Sequence, residues 1–340
     1  MASKTYRAVQ VTKPGKLELV ERKVEEPSAR HVRIRVEACG VCHSDAGTVE
    51  GQFPGIAYPR VPGHEVIGKI DALGDGVSGW KVGQRVGVGF LGGPCFVCKP
   101  CRHGKFVTCE NQGVSGVSSD GGYAEIMIAS EDGLSAVPDE LSAAEAAPLL
   151  CAGLTTFNAL RNSPARAGDL VAIHGIGGLG HLAVQYARAM GFRVVAIGRG
   201  ADKAELAKKL GAHHYIDSDA QEPAAALKAM GAASVILATV PSGKAMSPLI
   251  GGLVPGGSLI AVGVAGDAIE VSTLDLVLGT RSVEGSLTGT AVDGEETLAF
   301  SVLGNIRPMI ETVPLEKAPE AYARMMKGEA RFRMVLLTGQ

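Results

Sequence analysis

A glycine turn between a buried strand and a helix is the feature that most constrains how this chain can fold. Residues 170–174 form an apolar run typical of a buried strand, and an amphipathic helix is predicted to continue to residue 190. Between them the chain reads Gly175-Ile176-Gly177-Gly178-Leu179-Gly180. Glycines at this spacing permit a tight turn, let backbone amides approach a pyrophosphate and let the helix pack closely on the strand. The pattern predicts a parallel sheet that binds a dinucleotide.

The chain is predicted to contain two domains, since its 340 residues exceed the usual size of a single core. Residues 6–130 run in short alternating stretches broken by glycine and proline, which predicts an antiparallel β domain. From about residue 165, apolar runs alternate with helical segments, as in a Rossmann-type, doubly wound α/β domain. Its further strands are predicted at 193–197, 214–216, 234–238, 258–262 and 283–287. The tail from 295 has a mixed pattern and ends in a predicted strand at 332–337.

The end of the second strand in the α/β domain bears on which nucleotide binds. An NAD-preferring site usually has an acidic residue there, about 20 residues past the turn, which accepts hydrogen bonds from the adenosine ribose. This chain has Gly198 and Arg199 instead, followed by Lys203. Glycine leaves room and the cations suit a 2′-phosphate, so we favour NADP over NAD. In the alternative interpretation, Arg199 is a solvated loop residue that stacks on adenine, and Asp202 caps the next helix.

Four of the seven cysteines lie within fifteen positions and have the spacing CxxCxxCx7C: Cys95, Cys98, Cys101 and Cys109. Thiolates two residues apart on a tight loop can converge on one tetrahedral ion, and four of them complete the shell of Zn²⁺. The spacing therefore predicts a structural zinc with no position left for a substrate. His103, inside the loop, is interpreted as a solvated residue because the shell is already full.

Charge and hydropathy argue against several classes of partner. The net charge of −2 removes the general attraction that nucleic acid or an anionic membrane would need. No stretch reaches the roughly eighteen apolar residues of a membrane span, and the N-terminus has no apolar signal region. We expect a cytoplasmic protein with reduced thiols and no nucleic-acid or membrane partner. The absence of a basic stripe opposes a zinc-ribbon nucleic-acid binder, which the cysteine loop alone suggests.

Three further segments complete the pattern. Residues 40–45 read GVCHSD, residues 63–65 read GHE, and residues 151–156 read CAGLTT. In this order, with the four-cysteine loop and the glycine turn, they resemble the zinc-dependent alcohol dehydrogenases of the medium-chain dehydrogenase/reductase family, over essentially the whole chain. The resemblance implies a GroES-like β-barrel catalytic domain over 1–153, a Rossmann domain over 154–294 and a C-terminal return to the catalytic domain over 295–340.

The resemblance also implies a second zinc ion, which is catalytic. Its implied ligands are Cys42, His64 and Cys151, with Glu65 as a nearby or alternating ligand. Two thiolates and one imidazole leave a position open for substrate or water. Ser44 is expected to hydrogen-bond the alkoxide and begin a proton relay, with a plain turn hydroxyl as the alternative, and Asp45 is expected to support His64. Cys39 is then a spare thiol, although its CxxC spacing with Cys42 leaves a redox pair as the alternative.

Further roles follow from the same resemblance. Contacts to the nucleotide are implied for His43, Thr155, Val262, Val264 and Arg333. Gly47 stands where many relatives have a histidine that closes the proton relay to solvent, so proton exit is predicted to differ, with water or His43 taking that part. Three residues fall near segments that line the alcohol pocket in relatives, with core packing as the alternative role: Phe53, Phe90 and Leu91.

The motifs together predict an enzyme that transfers a hydride reversibly between a small-molecule alcohol and NAD(P). Two zinc ions are expected per subunit, and resemblance to the bacterial branch implies a homotetramer. Within the same class, the alternative is an NADPH-dependent aldehyde reductase of cinnamyl or polyol type, which the Gly198–Arg199 pair favours. In a different class, the alternative is a non-catalytic nucleotide-binding protein of the same fold, which the complete ligand set opposes.

Overall fold

The computed structural model describes residues 4–338, and the chain divides into two compact units. The first unit contains the residues up to 154, with 289–303 and the residues from 307 onward. The second unit contains residues 155–288 and 304–306. The domain boundary predicted at residue 294 lies inside a helix, Ala291–Leu303, which belongs to the first unit. No helix in residues 4–338 is both long enough and apolar enough to cross a membrane.

Strands and helices occur in both units. The strands are β1 Thr5–Lys13, β2 Lys16–Lys23, β3 His31–Val41, β4 Val66–Leu73, β5 Arg85–Val88, β6 Ile126–Ser130, β7 Leu134–Ala136, β8 Leu170–His174, β9 Arg193–Gly198, β10 His214–Asp217, β11 Ala233–Ala238, β12 Leu253–Ala261, β13 Ser282–Gly285, β14 Ile310–Pro314 and β15 Arg333–Leu337. The helices are α1 Ala46–Val49, α2 Lys99–Arg102, α3 Ala143–Pro148, α4 Leu154–Arg161, α5 Gly180–Ala189, α6 Ala204–Lys209, α7 Pro223–Ala229, α8 Gly243–Met246, α9 Thr273–Gly279, α10 Ala291–Leu303 and α11 Ala318–Met326.

The second unit is built on a six-stranded parallel sheet, as the alternating pattern predicts. The strand order is β10-β9-β8-β11-β12-β13, and every neighbouring pair is parallel. Strand β8 is buried along its whole length, which explains its unbroken apolar run. Two predicted strands differ from the observed ones by two residues or more at one end. Strand β12 starts five residues earlier than predicted, at Leu253, and β13 ends at Gly285 rather than at residue 287, where Leu287 is 56% exposed.

The order of strands creates a crevice at the carboxyl end of β8. The chain proceeds from β8 to β9 and β10 on one side, and then returns to place β11, β12 and β13 on the other side. Ligands of open α/β sheets bind outside the carboxyl ends of the strands at such a reversal. The glycine turn and the residues that follow β9 and β12 therefore lie at the edge of the sheet where a dinucleotide is expected.

In the first unit, β3 is the strand that brings distant segments together. It pairs antiparallel with β4, β6 and β15, so the C-terminal strand completes this sheet. The register places Cys39 opposite Val66, and Val41 opposite Met334. Cys42 follows β3, His64 and Glu65 precede β4, and Arg333 begins β15. Pairing of the three strands therefore collects these side chains at one end of the sheet, although they are far apart in sequence.

A short π-helical segment, Leu149–Gly153, carries Cys151. It continues α3, whose start is fixed by a capping box in which the Ser142 hydroxyl accepts from the N–H of Glu145 while the Glu145 carboxylate accepts from the N–H of Ser142. Leu149, Leu150, Ala152 and Gly153 are buried, which holds the segment firmly in the unit. A π-turn inside a helix is a frequent mark of a functional position.

Two glycines of the turn after β8 have opposite steric surroundings, which generates a test of the fold. A Cβ on Gly180 would lie 1.7 Å from the carbonyl oxygen of Gly175, whereas a Cβ on Gly177 would meet no atom within 4 Å. We expect Gly180→Ala to lower the free energy of unfolding by about 2 kcal/mol, because backbone has to shift. Gly177→Ala is the matched control and should change it by less than about 0.5 kcal/mol. Urea unfolding followed by circular dichroism measures both, and equal stability of the two variants would contradict the close approach.

Candidate active site

Four metal-binding side chains converge in the first unit. One donor atom from each of Cys42, His64, Glu65 and Cys151 lies within 4.8 Å of the other three. The two sulfur atoms are 3.7 Å apart. Two thiolates on one tetrahedral zinc with Zn–S bonds of about 2.3 Å would be separated by about 3.8 Å. The spacing of the two thiols therefore fits a shared zinc ion.

The His64 ring presents an unused donor atom to this cluster. His64 is 2% exposed, and its Nδ1 lies 2.9 Å from Oδ1 of Asp45. Its Nε2 is buried and has no hydrogen-bond partner among the described residues. A buried polar atom without a partner is costly, and a metal ion would satisfy it. The Asp45 contact fixes the tautomer that leaves the Nε2 lone pair free to coordinate, which is the usual arrangement around a metal-binding histidine.

Asp45 is itself held by donors on other elements. Its Oδ2 accepts hydrogen bonds from the backbone N–H of Cys42 and from the hydroxyl of Tyr123, each at 2.9 Å. Tyr123 is fully buried, and its pKa is raised, first by burial and then by the Asp45 charge. Tyr123 was not predicted from the sequence as a residue of this site. It is 78 residues from Asp45 and belongs to no motif, so only the fold brings the two together.

The two thiols of the cluster have different proton affinities. The contact between the sulfur atoms lowers the pKa of Cys42 well below its ordinary value and raises that of Cys151. Arg333 and His64 lower the pKa of Cys42 further, against the effect of burial. Burial lowers the pKa of His64, but the Asp45 carboxylate and the Cys42 sulfur together outweigh burial and raise that pKa well above its ordinary value. Cys42 is thus the thiol that gives a thiolate most readily for metal binding.

Glu65 and Arg333 form a buried ion pair beside the thiols. Arg333 Nη2 lies 2.9 Å from Glu65 Oε1, and the two side chains are 5% and 0% exposed. The same nitrogen donates to Cys42 Sγ at 3.7 Å. Burial raises the pKa of Glu65 to about 7, although Arg333 opposes the shift. The contact of Arg333 with the cluster was not predicted from sequence, and its predicted contact with the nucleotide stays a prediction.

The second metal cluster is the four-cysteine loop. One sulfur from each of Cys95, Cys98, Cys101 and Cys109 lies within 4.8 Å of the others. Backbone N–H groups point at the sulfurs: that of Cys95 donates to Cys109 at 3.3 Å, and that of Cys98 to Cys95 at 3.4 Å. The side chain of Asn111 and the backbone N–H groups of Cys98 and Val97 lower the pKa of Cys95 to about 6. Four convergent thiols with such donors fit a tetrahedral zinc site with no open position.

Several sequence-predicted residues lie around the first cluster. His43 and Ser44 are exposed on the single 3₁₀ turn His43–Asp45 that follows Cys42. The ring of Phe90 packs edge-on against His64, with centroids 5.1 Å apart.

Cys39 is buried outside both clusters, and all seven cysteines are free of disulfides. His103 caps α2 and is not a member of either cluster.

The ring of Phe53 packs against Gly47, the position where a histidine was considered for the proton relay. A Cβ on Gly47 would lie 2.0 Å from ring carbon Cε2 of Phe53. The Phe53 ring therefore occupies the space that a larger side chain would need. Leu91, also considered as a pocket residue, lines a cavity of about 150 Å³ next to the four-cysteine loop, together with Phe96, Phe106 and others. The ligands of the Cys42 cluster do not line that cavity.

The turn after β8 has the local geometry that a pyrophosphate site needs. Gly175 has a φ of 98°, a conformation that favours glycine. Its carbonyl oxygen packs so closely against Gly180 that a Cβ there would not fit. Gly177 faces open space, so a ligand can approach the backbone. Gly178 and Leu179 complete the turn, and α5 starts at Gly180. The N-terminus of this ten-residue helix carries the positive end of the helix dipole, which can attract an anion.

The remaining predicted nucleotide contacts belong to the second unit. Arg199 is exposed and Lys203 is half-buried at the start of α6, both after β9. Val262 follows β12, and Val264 is 88% exposed. Thr155 is buried, and its hydroxyl donates to the carbonyl of Leu287 at 3.5 Å. The carboxyl ends of β8, β9 and β12 thus carry most of the predicted set on one edge of the parallel sheet, while Thr155 lies on α4.

Comparison with known proteins agrees with both units. Residues 28–139 match the alcohol dehydrogenase GroES-like domain, and residues 178–302 match the zinc-binding dehydrogenase family. The alcohol dehydrogenase patD of Penicillium expansum is 44% identical over 98% of this chain and 97% of its own length. An alcohol dehydrogenase of Geobacillus stearothermophilus is 40% identical over 96% of this chain and 98% of its own.

A solved structure extends the likeness to three dimensions. The structure of CAD from Helicobacter pylori, complexed with NADP(H), covers 98% of this chain and 97% of its own, with a TM-score of 0.84 and 28% identity. The predicted fold, a Rossmann-type parallel sheet together with a GroES-like β domain, is confirmed. The chain therefore belongs to the zinc-dependent alcohol dehydrogenases of the medium-chain dehydrogenase/reductase family, enzymes that interconvert alcohols and carbonyl compounds with zinc and a nicotinamide cofactor.

Proposed function

We propose that the chain transfers a hydride reversibly between a small alcohol and NADP, with a catalytic zinc on Cys42, His64 and Cys151 and a structural zinc on the four-cysteine loop. One observation carries the proposal. Two thiols at zinc spacing and an imidazole Nε2 without a partner meet in one buried cluster, which supplies three strong ligands and leaves a coordination position free. We assign catalysis to the first unit and nucleotide binding to the second.

The residues around the catalytic zinc have separate tasks in this mechanism. A zinc ion held there is a Lewis acid that lowers the pKa of a bound alcohol or polarises a carbonyl group. Asp45 orients the His64 ring through Nδ1. The Ser44 hydroxyl, on the turn after Cys42, accepts the proton of the alcohol at Oγ and passes it toward solvent. Glu65, which forms an ion pair with Arg333, would lie near a bound zinc ion and could serve as an alternating ligand.

The preference for NADP rests on the end of β9. Gly198 stands where an NAD site carries an acid, and the guanidinium of Arg199 is exposed, with no hydrogen bond or ion pair in the described part of the chain. Lys203 adds a second cation at the start of α6. An exposed, unpaired guanidinium can bind a 2′-phosphate without first breaking an ion pair.

A second candidate function stays within the same chemistry. The chain would work mainly as an NADPH-dependent aldehyde reductase, of the cinnamyl or polyol type, and the same pair of residues, Gly198 and Arg199, favours it. Both candidates use the same metal cluster and differ in the direction of hydride transfer and in the substrate. A non-catalytic nucleotide-binding role is disfavoured, because a protein without catalysis would not need the orphaned Nε2 beside two thiols.

We further propose a cytoplasmic homotetramer. Reducing conditions would keep the six thiols of the two clusters available for zinc. Leu274, Val277 and Leu278 form an apolar face on α9, where they are 66%, 72% and 77% exposed. Strand β13, at the edge of the sheet, has a single neighbour and leaves one side of its backbone unpaired. A second copy of the chain would cover such a face and edge.

Metal content tests the two assigned zinc sites. We expect about two zinc ions per wild-type chain and about one in either Cys42→Ser or Cys98→Ser. Cys42→Ser should lose roughly a thousandfold or more of kcat/KM, because the Lewis acid supplies several kcal/mol to the transition state. Cys98→Ser should instead lower the midpoint of thermal unfolding. Elemental analysis, initial rates and thermal unfolding scans measure these three effects. Full activity of Cys42→Ser would contradict the catalytic assignment.

Initial rates with both nucleotides test the cofactor and the direction of reaction. A panel of primary, secondary and aromatic alcohols and the matching carbonyl compounds is assayed with NADP(H) and NAD(H). We expect kcat/KM to be at least about tenfold higher with NADP(H), because Arg199 and Lys203 bind the extra phosphate. Preference for carbonyl reduction would select the aldehyde reductase. A preference for NAD(H) in every assay would refute the cofactor assignment.

Sedimentation velocity tests the proposed assembly. Leu278→Lys puts a charge on the apolar face of α9, so the wild-type tetramer should dissociate to smaller species. Leu303→Lys is the matched control, because Leu303 is 82% exposed on α10 and lies outside that face. A tetramer in all three proteins would place the interface elsewhere, and a wild-type monomer would contradict the assembly itself.

A further inference from the structure

Tyr215 occupies the space beside Gly198 that an acidic side chain would need. A Cβ on Gly198 would lie 2.5 Å from the Tyr215 hydroxyl oxygen and 3.3 Å from ring carbon Cζ. Contacts below 3.0 Å are essentially never found for real Cβ atoms, so the hydroxyl is the obstacle and the ring is only tightly packed. Strands β9 and β10 are neighbours, and the register places Tyr215 opposite Ala196, two residues before Gly198.

The same tyrosine holds the loop that carries Arg199. Its hydroxyl donates to the carbonyl of Gly200 at 2.8 Å, and the N–H of Gly200 donates to Asp217 Oδ1 at 2.8 Å. The carbonyl of Gly198 accepts from the N–H of Ser218 at 2.9 Å and from its hydroxyl at 3.1 Å. The backbone on both sides of Arg199 is therefore fixed by the end of β10, while the Arg199 side chain stays exposed.

The charges near Tyr215 are mixed. Burial raises the pKa of its phenol, and Asp217, Asp202 and Asp219 raise it further, so the hydroxyl is a stable donor at neutral pH. These acids would repel a 2′-phosphate. Asp217 uses its Oδ1 to accept from the N–H groups of Gly200 and Asp219, which offsets part of its charge. Attraction for a phosphate must then come from Arg199 and Lys203, so the position of the Arg199 loop is decisive.

We infer that Tyr215 sets the nucleotide specificity of the second unit, by blocking an NAD-type carboxylate at position 198 and by holding the Arg199 loop toward the 2′-phosphate of NADP. The inference rests on the proposed function, which supplies the dinucleotide. It assigns a role to a residue that lies outside the glycine turn and outside the residues that follow β9. Because one hydroxyl does both tasks, positions 198 and 215 should be energetically coupled.

Calorimetric titration of the zinc-loaded enzyme with NADPH and with NADH tests the inference without using activity. Tyr215→Phe should weaken NADPH by about fivefold and change NADH by less than about twofold, because only the loop that faces the phosphate is released. Gly198→Asp should weaken both nucleotides by about tenfold or more, because the new side chain meets the tyrosine hydroxyl. The double variant Gly198→Asp/Tyr215→Phe should regain NADH affinity by about tenfold over Gly198→Asp, but not NADPH affinity.

Tyr58→Phe is the matched control. Tyr58 also donates its hydroxyl to a backbone carbonyl, that of Thr48 at 2.7 Å, but it lies in the first unit. It should leave both affinities unchanged, and circular dichroism verifies that every variant is folded. If Gly198→Asp alone binds NADH as tightly as the double variant, Tyr215 is not the obstacle and the inference fails. If the wild type prefers NADH, the NADP assignment fails. The NADH affinities of Gly198→Asp and of the double variant then still test whether Tyr215 blocks a side chain at position 198. If it binds neither nucleotide, the inference and the proposed function both fail.

Discussion

The carboxylate of Asp45 is the interaction on which the metal cluster depends. It is 3% exposed, and burial of a carboxylate is costly unless donors surround its oxygens. Three donors do so here: Nδ1 of His64, the N–H of Cys42 and the hydroxyl of Tyr123. One side chain thereby fixes the ring of His64 and the backbone of Cys42. The 3₁₀ turn that presents Ser44 is fixed by the same contact, so the geometry of the cluster follows from how Asp45 is satisfied.

Strand pairing and charge balance extend this arrangement. Pairing of β3 with β4 and β15 puts Cys42, Glu65 and Arg333 at one end of a sheet. The guanidinium of Arg333 then faces the carboxylate of Glu65 and the thiol of Cys42, both of which are almost completely buried. Removing one partner from such a group leaves a buried charge uncompensated, which is far more costly than losing a surface ion pair. The sheet and the metal cluster therefore stabilise each other.

Much of the fold could be predicted because its signals are local. The apolar run of β8, the glycine turn and the start of α5 are contiguous, and the physical demand for close approach at Gly180 is visible in the residue type itself. The spacing of Cys95, Cys98, Cys101 and Cys109 likewise restricts four thiols to one loop. The predicted start of β12 and the predicted end of β13 were wrong. Strand ends are set by tertiary pairing and exposure, and neither of these is local in sequence.

The sequence by itself determined the fold class, the family and the residue types that could bind zinc and a dinucleotide, because each depends on spacing within a short segment. Only the tertiary structure decided how these residues are supported. No sequence motif predicts the four contacts that provide this support: Tyr123 with Asp45, Arg333 with Glu65, Phe53 with Gly47 and Tyr215 with Gly198. The contacts of Tyr123, Arg333 and Tyr215 join residues from different segments or strands. A hydrogen bond or a steric block exists only once packing has brought its two partners within a few ångströms.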